Sequence, residues 1–368
     1  MYCSYKFRLY PTKEQEVLFQ KNFGCTRFIY NHYLSKRVDL WKNQKIKMDY
    51  NMCDKDIPSL FLEYPWLKEA ESTSLRLSVK ALDDAFNKFF DGLKTNKNIG
   101  FPKYKSKKNR KSYRTRNISN NLRIEGKMIR LPKIGKVECR VSREVKGRIL
   151  FATVIQSSSG KYFVTLCCEN VEVDEMEKTG LKCGVDLGVK NIAITSDENK
   201  YENNKYLVKS EKKLAKLQRE FSRKTSGSKR KEKARIKVAK MYEKITNQRN
   251  DCIHKATTDL IRKYDVICIE TLSIKDMVKD NKFAKNIYDA SLYEFRKQLE
   301  YKAEWHQKTI IKVDRYFPSS QLCSCCGYVN KNTKDLSVRF WHCAKCGTVH
   351  DRDINAAKNI LQEGLKYI

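Results

Sequence analysis

Three acidic residues lie far apart in the chain, each at the edge of an apolar segment. They are Asp186 in Gly184-Val185-Asp186-Leu187-Gly188, Glu270 closing Val266-Ile267-Cys268-Ile269-Glu270, and Asp353 in Asp351-Arg352-Asp353-Ile354-Asn355-Ala356-Ala357. A carboxylate at a buried edge is costly unless it is paired or holds a cation. Singly, each is weak: an acidic residue closing a strand is most often its solvent-facing stop. Brought into one site, the three would repel one another unless Mg²⁺ or Mn²⁺ held them, because oxygen ligands suit those ions. Two such ions can activate a water, orient a phosphodiester and stabilise a leaving 3′-oxygen.

A second constellation is more specific. Cys323-Ser324-Cys325-Cys326-Gly327 and Cys343-Ala344-Lys345-Cys346-Gly347 supply two Cys-x2-Cys pairs separated by 16 residues. Cys325 makes the register ambiguous, and the glycine after the second cysteine of each pair favours Cys323, Cys326, Cys343 and Cys346. Four thiolates close a tetrahedron around Zn²⁺ with no open position, so the site is expected to be structural. His342 and His350 flank it and could substitute as ligands. The remaining ten of the 14 cysteines, such as Cys167, Cys168 and Cys268, read as small core residues in a reducing compartment.

The charge balance names the partner class. The 368 residues carry 76 Lys+Arg against 43 Asp+Glu, a formal net charge of +33 spread over most of the chain. Nucleic acid is the expected polyanion, since each phosphate neutralised releases counterions; a merely solubilising surface would mix the signs. No run of about 18 apolar residues occurs, and Met1-Tyr2-Cys3-Ser4-Tyr5-Lys6-Phe7 has no signal-peptide core. A soluble, cytoplasmic protein with no membrane partner is expected.

The elements that must position these groups follow from periodicity. Residues 1–10 alternate as a half-buried strand, and Pro11-Thr12-Lys13-Glu14-Gln15 starts a helix with Thr12 as cap and Gln15 completing a capping box. Helical spacing continues through Leu82, Phe86 and Leu93, with Phe86, Phe89 and Phe90 expected in the core. From Asn96 to Arg116 basic residues interleave with Phe101, Tyr104 and Tyr113, which suits phosphate contact and base stacking or else a solvated linker. Short β runs follow at 128–129, 136–141, 149–155 and 162–168, suggesting a β-barrel that could take in the first strand. Then come a hairpin over 183–196, helices over 206–223 and 228–264, the buried strand 266–269, and a stretch from Thr271 to Ala290 that could be a lid. A helix marked by Leu292, Phe295 and Leu299, a strand at 309–313 and a final helix from about 352 to 364 complete the chain. On the second long helix, Val238, Met241, Tyr242, Ile245, Cys252, Ile253, Ala256 and Leu260 form an apolar stripe. If the last helix begins near Asp351, then Asp353, Ala356, Ala357 and Ile360 share one face, and Asp351 is the N-cap.

A hairpin bearing Asp186, a helical passage, a buried strand ending in Glu270 and a final helix starting with Asp353 resembles the RNase H-like fold, in which carboxylates from two strands and a helix converge on divalent metals. More closely, the chain resembles the TnpB (OrfB) family, transposon-encoded RNA-guided nucleases related to type V CRISPR effectors. The motifs are Tyr5-Lys6-Phe7-Arg8-Leu9-Tyr10-Pro11-Thr12, Gly24-Cys25-Thr26-Arg27-Phe28-Ile29-Tyr30-Asn31, Gly100-Phe101-Pro102-Lys103-Tyr104-Lys105, Gly184-Val185-Asp186-Leu187-Gly188-Val189, Ile269-Glu270-Thr271-Leu272, Pro318-Ser319-Ser320-Gln321 and Asp351 to Ala357.

The resemblance implies an α/β multidomain protein. A wedge β-barrel domain (1–11 and 94–176) would carry a helical recognition insert (12–93). An RNase H-like RuvC nuclease domain (177–317 and 351–368) would carry a four-cysteine zinc knuckle (318–350). It further implies a guide RNA from the transposon end, one protein per RNA, and a target double-stranded DNA read beside a short motif. Asp186, Glu270 and Asp353 would bind two Mg²⁺ or Mn²⁺ ions and catalyse hydrolysis. A nuclease-inactive RNA-guided repressor and a transposase acting by direct strand transfer are the rival expectations.

Overall fold

The computed structural model describes residues 1–108, 110–273, 281–335 and 337–368, with the backbone alone for 281–283. The chain divides into two compact units, Met1–Glu172 and Val173–Ile368.

In the first unit, β1 (Cys3–Tyr10) buries Cys3, Tyr5, Phe7 and Leu9 and turns Lys6 and Arg8 the other way, as its alternation requires. It lies at the middle of a seven-stranded antiparallel sheet, ordered β2-β6-β7-β1-β5-β4-β3. The other strands are β2 (Lys111–Arg116), β3 (Arg123–Glu125), β4 (Met128–Leu131), β5 (Gly135–Arg140), β6 (Arg148–Gln156) and β7 (Tyr162–Glu169). β2 and β3 form the two edges, and no ladder between them closes a barrel among the described residues.

Between β1 and β2 run α1 (Lys13–Gln44), α2 (Tyr50–Glu63) and α3 (Ser72–Lys94). The capping box is present: Thr12 Oγ1 accepts from the Gln15 N–H at 3.3 Å, and Gln15 Oε1 accepts from the Thr12 N–H at 3.1 Å. Ile29, Tyr33, Ile57, Leu75, Val79 and Leu82 form the core between the helices. Two aromatic expectations are corrected. Phe90 is 42% exposed because its turn of α3 extends beyond that core. Tyr113, expected as a stacking surface, is buried on β2 against Phe19 and Phe23, while Phe101 and Tyr104 are exposed.

In the second unit the strands are β8 (Lys182–Leu187), β9 (Asn191–Thr195), β10 (Lys200–Glu202), β11 (Val266–Glu270) and β12 (Thr309–Val313). They form one sheet ordered β10-β9-β8-β11-β12, with β8, β11 and β12 parallel and β9 antiparallel to β8. The helices are α4 (Tyr206–Ser222), α5 (Lys229–Lys263), α6 (Asn281–Ala290), α7 (Leu292–Trp305) and α8 (Arg352–Gly364), and β13 (Phe340–His342) pairs with β14 (Val349–Asp351). Ile253, Leu260, Phe295 and Leu299 cover one sheet face through Val185, Ile267 and Ile269; Ile360 and Leu361 cover the other through Cys268 and Val313. Tyr242, expected in the α5 stripe, is instead exposed and its hydroxyl accepts from Gln218 Nε2 at 2.9 Å. The lid expected over Thr271–Ala290 is helical at Asn281–Ala290, and 274–280 lie outside the described residues. None of the described helices is long and apolar enough to cross a membrane.

Candidate functional site

Strand alternation decides which way the acids point. A side chain at Gly184 would face α8, because its Cβ would overlap the Ala357 carbonyl oxygen and lie 2.6 Å from the Leu361 nitrogen. Asp186, two residues on, therefore faces α8 as well. On the neighbouring parallel strand, Cys268 Sγ lies 2.5 Å from where a Cβ on Gly364 would stand, so Cys268 faces α8 and Glu270 follows it. Both carboxylates thus leave the carboxyl ends of adjacent strands on the face covered by α8. Asp353 sits one helical turn before Ala357, toward those strand ends.

Asp351 is the N-cap of α8, its Oδ1 accepting from the N–H groups of Asp353 (3.0 Å) and Ile354 (3.3 Å). That leaves Asp353 free of capping and in the first turn, where the helix dipole favours a negative charge. Its carboxylate accepts from Arg339 Nη1 at 3.4 Å.

The Leu187 N–H donates to Glu270 Oε1 at 3.3 Å. Loss of solvation raises Asp186 well above the usual carboxylate range, with the charges of Glu270 and Asp353 adding to it and Arg352 opposing. Loss of solvation likewise raises Glu270 to about 7, partly offset by the Leu187 N–H and by Asp186. Acidic groups that resist ionisation for want of a counter-charge are a donor set suited to a hard divalent cation.

The four expected cysteines are gathered, with all four sulfurs within 4.8 Å of one another. Cys323 and Cys346 sulfurs are 3.6 Å apart and those of Cys326 and Cys343 3.5 Å, close to the ~3.8 Å edge of a tetrahedron built on ~2.3 Å zinc–sulfur bonds. The Thr348 hydroxyl and N–H lower the Cys346 thiol to about 6, toward the thiolate a metal needs. Gly327 and Gly347, at φ of 71° and 73°, close the two knuckles in a backbone region that disfavours a side chain. His342 is exposed; His350 is buried with its Nε2 3.1 Å from Cys323 Sγ. All 14 cysteines are free of disulfides.

Two residues that carry the site were not singled out by spacing. Asn355, on α8, donates to the Leu322 carbonyl (2.6 Å) and accepts from the Ser324 N–H (2.9 Å). Asn359 donates to the carbonyls of Ser319 (2.8 Å) and Leu322 (2.7 Å). Both are buried, and they clamp the first knuckle to the helix that bears Asp353. In the first unit, a cleft of about 420 Å³ is lined by Arg27, Lys80, Lys88, Lys105, Arg110 and Arg114. Burial pushes Lys105 down to about 8, and its Nζ stands 3.7 Å from the Tyr30 ring centroid.

Three family models match the chain: one described as "Probable transposase" over residues 165–281, one as "Cas12f1-like, TNB domain" over 293–360, and one as "Helix-turn-helix domain" over 1–45. In the last span the structure has β1 followed by a single 32-residue helix. A Streptomyces pristinaespiralis protein provisionally named an RNA-guided DNA endonuclease is 34% identical over 98% of this chain and 89% of its own length. An Escherichia coli K12 protein provisionally named the RNA-guided DNA endonuclease InsQ is 31% identical over 98% of this chain and 92% of its own. A solved Cas12f1–sgRNA–target DNA complex aligns with 98% of this chain and 99% of that chain at 16% identity, with a TM-score of 0.39.

Proposed function

Because the chain belongs to the TnpB (OrfB) family, we propose that it is an RNA-guided endonuclease of double-stranded DNA, using a guide RNA from the transposon end. The relatives' names support this reading, and so does the charge of +33, which suits an RNA, a heteroduplex and a DNA duplex together. The observation that carries it is the direction of three acids: Asp186 and Glu270 from adjacent parallel strand ends and Asp353 from the first turn of α8, all toward one face. The strand order β10-β9-β8-β11-β12 supports an RNase H-like, RuvC-type core. The division of the chain at Glu172 and Val173 supports a wedge–nuclease boundary near the proposed 176–177; the recognition insert at 12–93 and the knuckle at 318–350 are proposed from the family resemblance.

Asp186, Glu270 and Asp353 are the catalytic residues in this account and would hold Mg²⁺ or Mn²⁺, two ions in all. When bound, such ions supply an activated water and stabilise the leaving 3′-oxygen. The protein's own part is positioning. Gly184 lets α8 seat directly on β8, the Leu187 N–H fixes Glu270, and Asp351 caps the helix so that Asp353 is left for the site. Zn²⁺ on Cys323, Cys326, Cys343 and Cys346 would be structural. Asn355 and Asn359 tie that knuckle to the catalytic helix. The basic cleft around Lys105 is a candidate contact for phosphates.

The experiment is to purify the protein with co-expressed RNA, sequence that RNA, and offer a matching duplex with randomised flanks in Mg²⁺. Cleavage beside one short motif is the expected result. Binding without cutting would favour the repressor, and joined rather than hydrolysed ends the strand-transfer enzyme.

A further inference from the structure

The knuckle holds one more thiol and one more imidazole than a four-cysteine centre uses. Cys325 is left over by the Cys323/Cys326 register, yet its sulfur, the sulfur of Cys323 and a ring nitrogen of His350 all lie within 4.8 Å of one another. His350 is 6% exposed, its ring lies tilted against that of Trp341 with the centroids 4.6 Å apart, and its Nε2 stands 3.1 Å from Cys323 Sγ. Zinc bonds of ~2.3 Å to sulfur and ~2.0 Å to nitrogen put S and N ~3.5 Å apart across a tetrahedral ion, so a small outward movement of the ring would admit one.

We propose that Cys323, Cys325 and His350 form a second site for a thiophilic divalent cation of the zinc class, sharing the Cys323 thiolate as a bridge with the four-cysteine centre. Four thiolates on one Zn²⁺ leave an anionic centre, and a second cation offsets that charge. On ligation the Cys325 S–H bond breaks, its proton passes to solvent, and the thiolate takes the ion. The fourth coordination position has no side chain assigned to it and is open to water or an anionic oxygen. Since three side chains hold the second ion and four hold the first, the second ion should exchange faster than the first. The proposal depends on the four-cysteine centre and not on the nuclease reading.

The test uses the full chain, saturated with Zn²⁺ in excess Mg²⁺ to keep zinc from the carboxylates, then desalted at neutral pH. The expected content is two zinc per wild-type chain and one per Cys325→Ser chain, with a weak chelator removing only the second. A parallel Cd²⁺ titration, read by thiolate-to-metal charge transfer, should lose about one thiolate in five on that substitution. His350→Asn should also drop to one zinc; should it fail to fold, Cys325→Ser, at an exposed position, still decides. One zinc per wild-type chain, or equal zinc and equal absorbance in wild type and Cys325→Ser, overturns the proposal and leaves His350 as a hydrogen-bond partner of Cys323.

Discussion

The carbonyl oxygen of Ala357 occupies the space a side chain on Gly184 would need, so the helix that carries Asp353 rests directly on the strand that carries Asp186. Gly184→Ala must push α8 off the sheet. We expect a loss of about 1–3 kcal/mol in stability and a larger fall in cleavage, because the acids separate. Thermal melting and single-turnover cleavage measure the two effects. Gly24→Ala, in α1 with nothing within 4 Å of the new Cβ, should leave both unimpaired.

Asp351 and Asp353 should separate cleanly. Asp351→Ala removes the cap from two N–H groups and the ion pair with Lys200, costing about 0.5–2 kcal/mol while cutting survives. Asp353→Asn should keep the melting temperature and reduce cutting by roughly a thousandfold, the effect of losing several kcal/mol of metal-assisted stabilisation. The opposite pattern would exchange their roles.

Much of this site was legible in the sequence, and the reasons differ by element. The strand at 266–270 and the helix at 352–364 were readable because an unbroken apolar run and an i, i+3, i+4, i+7 face are strong periodic signals. β2 was hidden because its outward residues are Ser112, Arg114 and Arg116 in a basic run, while the inward face holds only Tyr113 and Thr115 buried beside the half-buried Lys111. β10 has three residues, too few to show a period. The clamp made by Asn355 and Asn359 reaches residues 31 to 40 positions away, and no local spacing records such a contact.

That clamp makes its own prediction. Asn359→Ala leaves the Ser319 carbonyl without its bond and Leu322 with one fewer, at about 1–3 kcal/mol. Limited proteolysis should then cut within 318–350 while the rest of the chain resists. Unchanged protection would show that zinc alone holds the knuckle.

Lys105 predicts a pH dependence. Burial lowers it from 10.5 to about 8, so between those values the folded chain holds fewer protons than the unfolded one. Its contribution to stability therefore rises with pH across that window and is most unfavourable below it. A phosphate seated in the cleft favours the charged amine and draws the proton back, so nucleic-acid affinity should fall as pH rises above about 8. Lys105→Met should flatten that part of the profile in a filter-binding titration at fixed salt. A profile that does not respond to the substitution removes Lys105 from the interface.

The most direct test is guided cleavage by the three acid variants. With the co-purified RNA, a matched duplex and Mg²⁺, wild type should cut, while Asp186→Ala, Glu270→Ala and Asp353→Ala should each bind RNA and target as tightly as wild type and leave the DNA whole. A variant that cuts at the wild-type rate would contradict the assignment of that residue, and a wild-type complex that binds its target without cutting would contradict the nuclease itself.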